Sequence, residues 1–301
     1  MEHFADRLAA AVERTGTPVC VGLDPRAKNL PAGFLNSGGR SLAVIADAYA
    51  RFCNEVTDVV APLVPIVKPQ AAFFEELGPH GMTALGQVID HAIARGLLVV
   101  LDGKRNDIGS TAEAYARGYL GRTESAWHAD ALTVSPYLGD DSLTPFVDVA
   151  CERGAGIFVL VKTSNPGGGL LQDVECQGGR LYGRVAAHVE GLSAATVGAC
   201  GYGVVGAVVG ATYPAQLVEL RQAMPHTWFL VPGYGSQGGT AADVAAAFDD
   251  RGMGAIVNNS RGIIFAHERP EFKDRFGAGK WQAAVEAATL EMITALHTEL
   301  P

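Results

Sequence analysis

In Asp102-Gly103-Lys104-Arg105-Asn106-Asp107 a lysine stands two residues from one carboxylate and three from another, directly after the apolar run Leu97-Leu98-Val99-Val100-Leu101. Such a run reads as a strand buried on both faces. Its abrupt charged end is therefore a place to look for chemistry. Side chains alternate along a strand, so Asp102 and Lys104 are expected on one face, with Gly103 leaving the opposite face empty. Asp107 lies beyond, where it can fold back toward the lysine or reach into a neighbouring subunit. A lysine held by two carboxylates stays protonated even when poorly solvated, because each negative charge favours the ammonium. It is then a poor nucleophile and a usable proton donor. A salt-bridge network that closes the strand end is the structural alternative.

Other polar residues gather in the same way, each just after a short apolar run: Asp24 after Val19–Leu23, Lys68 after Val64–Val67, Ser164 beyond Ile157–Val161, Gln237 beyond Trp228–Val231, and Arg261 beyond Ala255–Val257. With Ala131–Val134 and Gly206–Gly210, eight apolar strands are predicted, and helical stretches separate them. Phe4, Leu8 and Val12 repeat at helical spacing ahead of the first strand, with a stop signal at Gly16 and Pro18. Further helices are predicted from Ser41 and over 81–95, 110–121, 141–153, 184–199, from Pro214, and over 240–251. A last one places Trp281, Val285, Ala288, Met292 and Leu296 on one face. The glycine-rich segment 167–183 reads as an irregular insertion after the fifth strand, suited to a mobile lid.

Eight alternating units in roughly 250 residues predict an α/β chain folded as a (β/α)8 TIM barrel with an N-terminal helix, residues 1–301 forming a single domain. An open doubly wound sheet is the alternative. The barrel is preferred because its strand ends converge on one mouth, which would bring the polar residues together.

Composition bounds the function. A formal net charge of −9 argues against general electrostatic binding of nucleic acid or anionic membrane, while leaving room for a local basic pocket. Five scattered cysteines without a C-x-x-C pair suit a reduced, cytoplasmic protein. An acidic start without an apolar core gives no secretory signal, and no apolar run approaches the ~20 residues that span a bilayer.

Gly233-Tyr234-Gly235-Ser236-Gln237-Gly238 matches G-x-G-x-x-G, yet it opens the seventh βα unit rather than the first of a dinucleotide-binding half. Backbone N–H groups at such a turn suit a phosphate, and Arg261 after the next strand offers a bidentate donor. The histidines and cysteines show no metal-ligand spacing, so no metal is expected. No G-x-S-x-G or P-loop sequence is present.

Asp102-Gly103-Lys104-Arg105-Asn106-Asp107-Ile108 resembles the D-x-K-x-x-D-I signature of the orotidine 5′-phosphate decarboxylase family. Leu160–Gly167 and Val231–Gly239 resemble that family's base-binding and phosphate-binding loops in its longer bacterial subgroup. The resemblance implies cofactor-free decarboxylation of orotidine 5′-phosphate to uridine 5′-phosphate, in a homodimer with shared active sites. It assigns Lys104 to protonating carbon 6, Asp102 to the substrate carboxylate, and Lys68 to the charged array and the ribose. Asp24 would bind ribose hydroxyls, Ser164 the pyrimidine, and Gln237 and Arg261 the phosphate, with Pro232 shaping the pocket. Asp107 and Thr111 would serve the partner's site. Ser260, where many relatives have glycine, and the insertion depart from the pattern. Magnesium-using sugar-phosphate decarboxylases and aldolases are the nearest rivals, but they resemble one another in placing a carboxylate where this chain has Lys68. A nucleotide-binding barrel without catalysis is the rival from another class.

Overall fold

A computed structural model of the chain describes residues 2–35, 41–235, 238–277 and 279–300. Ten strands occur among them: β1 (Val19–Leu23), β2 (Ile66–Pro69), β3 (Leu98–Arg105), β4 (Ala131–Val134), β5 (Gly156–Lys162), β6 (Glu175–Cys176), β7 (Gly179–Arg180), β8 (Val205–Val209), β9 (Phe229–Val231) and β10 (Ala255–Asn259). Eight of them close a barrel in the order β1-β10-β9-β8-β5-β4-β3-β2, and every barrel pairing is parallel. The open doubly wound sheet is thereby set aside.

Two apolar layers hold the barrel. One lies between strands and outer helices, where Val21, Val67, Val99 and Leu132 face Phe52, Val56, Leu85 and Ile89. The predicted stripe of the final helix, Trp281–Glu299, belongs to the outer helical shell and is buried at all five positions. The second layer fills the barrel interior and is closed from below by the N-terminal helix Phe4–Thr15. Phe4 packs edge-on against Phe158, with ring centroids 6.1 Å apart. It can do so because residue 156 is glycine: a Cβ there would lie 2.2 Å from the Phe4 ring.

The structure corrects several expectations. The 167–183 segment carries regular elements rather than being irregular: a one-turn helix at Gly169–Gln172 leads into the β6–β7 hairpin, and the next helix begins at Leu181 and ends at Ala194, not 184–199. Glycine content suggested a formless loop, but Gly178 and Gly179 supply the positive φ angles that the hairpin turn needs. The helix expected over 240–251 spans only Ala241–Ala245. Asp249 then ends the segment as a turn, its side chain accepting from the amides of Arg251 and Met253. Short helices at Ala71–Glu75, Arg261–Ile264 and Pro270–Phe276 had no periodic signal of their own. No helix of the described residues is long and apolar enough to cross a membrane.

Candidate active site

The C-terminal ends of the barrel strands surround a cavity of about 370 Å³. Asp102 is its organising group. The carboxylate is buried, and four donors converge on it: Lys68 Nζ at 2.8 Å and Gln70 Nε2 at 2.9 Å on one oxygen, Lys104 Nζ at 2.6 Å and Thr133 Oγ at 2.9 Å on the other. Burial by itself would raise the Asp102 pKa, but the adjacent charges of Lys68 and Lys104 outweigh it and hold the group well below the usual carboxylate range. Burial likewise works against the Lys68 ammonium, and the nearby charges of Asp102 and Asp24 overcome it, raising that pKa. Within this chain, then, Asp102 lies between two ammoniums, and of the two carboxylates flanking Lys104 in sequence only Asp102 pairs with it.

How Lys104 reaches its position also differs from plain alternation. Lys104 has φ +46°, in the left-handed region, and the β3–β4 register shifts between Leu101 and Arg105. A non-glycine residue there costs about 1–3 kcal/mol, and such strain collects at sites where neighbours over-determine the backbone. Here the Lys104 amide donates to Thr133 Oγ at 2.9 Å while the side chain turns back to Asp102. Arg105 turns away instead, bonding Glu75, the Tyr119 hydroxyl and the Gly103 carbonyl. The Lys104 side chain remains 49% exposed, so its ammonium is both fixed and reachable.

Of the residues singled out from sequence, Asp24, Lys68, Asp102, Lys104, Ser164, Pro232 and Arg261 all line this cavity. Asp107 and Thr111 do not: Asp107 is half-buried just before the helix Gly109–Tyr119, with its Oδ1 accepting from the Ile108 amide, and Thr111 is exposed in that helix's first turn. Gln237 lies outside the described residues. Asp24 presents a buried carboxylate oxygen without a hydrogen-bond partner among the described residues, an acceptor ready for a ligand hydroxyl. Leu160, Val208 and Leu230 make an apolar floor. The rim from Thr163 to Asn165 is braced by the insertion, for Gln172 accepts from the Thr163 amide and donates to its hydroxyl. Ser260 fits because its neighbour on β1 is Gly22, where a Cβ would fall 1.8 Å from the serine hydroxyl oxygen. Serine in place of glycine before Arg261 is therefore accommodated by the strand beside it.

The sequence reading passed over Gln70, Thr133, Arg26 and Asn258. Thr133 carried a usable signal, a lone hydroxyl in the apolar strand Ala131–Val134, and Gln70 stands two residues beyond Lys68 on the same edge. Charged lining residues are Arg26, Lys68, Lys104 and Arg261 against Asp24 and Asp102. That leaves the cavity two positive charges in excess within a chain of net charge −9. The site fits an anionic small molecule.

Comparison with known proteins agrees with this geometry. Residues 17–272 match the model of the "Orotidine 5′-phosphate decarboxylase / HUMPS family". The chain is 60% identical over 296 residues to an orotidine 5′-phosphate decarboxylase of Rhodopirellula baltica, covering 97% of this chain and 98% of the relative. A counterpart in Deinococcus radiodurans is 45% identical over 261 residues, covering 85% and 88%. Among solved structures, a protein described as a putative orotidine 5′-phosphate decarboxylase of Streptomyces avermitilis superposes with TM-score 0.81 at 35% identity, covering all of this chain and 96% of that one. The Leishmania donovani OMP decarboxylase gives TM-score 0.76 at 34% identity over 99% and 98%. A charged array at the barrel mouth, a cavity suited to an anion and these full-length likenesses converge, and the chain belongs to the orotidine 5′-phosphate decarboxylase family.

Proposed function

We infer that the protein decarboxylates orotidine 5′-phosphate to uridine 5′-phosphate, and that Lys104 is the proton donor. The observation that carries the mechanism is the Lys68–Asp102–Lys104 array beside an anion-binding cavity. The bond between carbon 6 and the carboxylate breaks, carbon dioxide leaves, and the electron pair stays on carbon 6. The Lys104 ammonium stabilises that charge, transfers its proton to carbon 6, and regains one from solvent through its exposed side. Asp102 lies against the substrate carboxylate and keeps both lysines in place. Lys68 contacts the ribose, Asp24 accepts from ribose hydroxyls, Ser164 bonds the pyrimidine, and Pro232 shapes the pocket. Arg261 and Gln237 bind the phosphate, so that binding energy from a non-reacting group helps to exclude water and position the ring.

The array fits poorly with a metal at the same place. All four donor contacts on Asp102 are made by this chain, and two come from ammoniums that would repel a cation. This disfavours the magnesium-using relatives.

A homodimer with shared sites accounts for Asp107 and Thr111, which do not line their own cavity and stand near the exposed Ile108 and Tyr115 in the chain, with Tyr137 and Leu138 exposed on the loop after β4. The whole chain acts as one barrel domain, in the cytoplasm. The direct test is conversion of orotidine 5′-phosphate to uridine 5′-phosphate by the purified protein with and without EDTA. Rapid turnover unaffected by EDTA is expected; inactivity, or activity only on a sugar phosphate with magnesium, overturns the reading. Mixing Lys104→Ala with Asp107→Ala protein tests the shared site. Hybrid dimers are expected to recover activity that neither variant has alone, whereas no recovery places Asp107 in its own chain's chemistry.

A further inference from the structure

We propose that Arg26 is a second guanidinium for the substrate phosphate, beside Arg261, a role that rests on the nucleotide reading of the cavity. Arg26 follows Asp24-Pro25 at the end of β1, and β1 is the hydrogen-bonded neighbour of β10, which runs into Arg261. The two arginines therefore project from adjacent strand ends. Both line the reaction cavity, and both also line a second cavity of about 370 Å³ beside it, together with Lys28, Phe265, Glu268 and Arg269. They are the residues common to the two, so they stand at the partition.

The Arg26 side chain makes no hydrogen bond or ion pair among the described residues, and its Nε is buried without a partner. Its one defined contact is a stack, the guanidinium carbon lying 5.1 Å from the Phe73 ring centroid. A stack orients the planar fork while leaving its N–H donors unspent. An unpaired buried donor is costly, and an anion in the cavity removes that cost. No carboxylate of the two cavities pairs with it among the described residues: Asp102 is filled by its four donors, Glu268 accepts from Asn29, and Asp24 keeps a buried oxygen without a partner, while Arg269 in the adjoining cavity is held by Glu271 and Glu291. A phosphate monoester carries about −1.5 to −2 charges and three acceptor oxygens near neutral pH, enough for two arginine forks.

The test separates the phosphate from the rest of the ligand. Equilibrium binding of uridine 5′-phosphate and of uridine is measured by calorimetry for wild type, Arg26→Met and Arg26→Lys. Methionine keeps an apolar stem on Phe73, and lysine keeps the charge; melting curves verify the fold. The expected result is that Arg26→Met weakens uridine 5′-phosphate about ten- to a hundredfold and leaves uridine unchanged, with Arg26→Lys recovering part of the loss. Unchanged nucleotide affinity in Arg26→Met overturns the proposal. Equal weakening of both ligands also overturns it, since the arginine would then only shape the cavity. Wild-type turnover of orotidine 5′-phosphate is assayed in parallel. Turnover with an indifferent Arg26 removes this proposal alone, whereas no turnover and no preference for the phosphorylated ligand removes the functional reading as well.

Discussion

Two buried carboxylates sit at opposite ends of this barrel, and their surroundings look alike at first. At the mouth, Asp102 binds Lys68, Lys104, Gln70 and Thr133. At the bottom, Asp130, just before β4, binds Arg7 and Arg122 and accepts from the Val99 amide. Both are desolvated and satisfied. They differ in what their partners can still do. Arg7 and Arg122 spend further donors on the carbonyls of Gly154 and Leu97, tying the N-terminal helix and the loop before β4 to the barrel floor. Guanidiniums do not give up protons near neutral pH. Lys104 is a half-exposed ammonium opening on a cavity, and it sits on a strained left-handed backbone. A buried, multiply bonded carboxylate is thus no sign of a site by itself. A transferable proton facing an anion-binding space is.

The sharpest way to break this contrast is Lys104→Ala. Turnover is expected to fall by more than about 10⁴-fold, combining loss of a proton donor with loss of charge stabilisation. Near-normal rates in a folded variant would sink the mechanism. Next comes the bottom cluster. Asp130→Asn leaves paired arginines short of their counter-charge and is expected to cost about 3–5 kcal/mol in urea unfolding, with kcat per folded molecule unchanged. Asp102→Asn should instead lose kcat. If both variants lose only stability, or both lose kcat, the two clusters are not functionally distinct.

Arg261→Ala acts at a distance from the reacting carbon. It is expected to lower kcat/KM about a hundredfold, mostly by raising KM, as loss of a charged phosphate contact predicts. A loss in kcat alone would place this arginine nearer the chemistry.

The smallest effect is a flat one. Asp102 has a folded pKa below its unfolded value of about 3.9, so its contribution to stability is present above that value and is lost only as pH falls through the lower, folded pKa. Lys68 has a folded pKa above its unfolded value of about 10.4, so its contribution is full below that value and is lost as pH rises through the higher, folded pKa. The difference in unfolding free energy between wild type and the Lys68→Met/Asp102→Leu double variant should therefore stay constant from about pH 5 to 9. A step within that window would show that the array does not hold its ionic form in solution.

Much of this molecule was written along the chain. Strand runs, the barrel count, the final helix stripe and the clustering of Asp24, Lys68, Asp102, Lys104, Ser164 and Arg261 follow from local pattern plus one topological rule, that parallel strand ends converge, while Pro232 was placed there by family resemblance alone. The insertion was misread because glycine content reports backbone freedom and not what an ordered turn can do with it. Its anchoring depends on distant partners: Lys162, fully buried, bonds Asp173 at 2.6 Å, and Gln172 grips Thr163.

By itself, then, the sequence determined which residues could carry charge at the barrel mouth, because hydrophobic period and residue type are local properties. Only the tertiary structure decided the polarity of the array. That Lys104 meets Asp102 and not Asp107 of its own chain, and that Asp102 gains Gln70 and Thr133, depends on the register between β2, β3 and β4 and on the left-handed turn at Lys104. Those are set by closing eight strands into a ring, a constraint that no single stretch of chain contains.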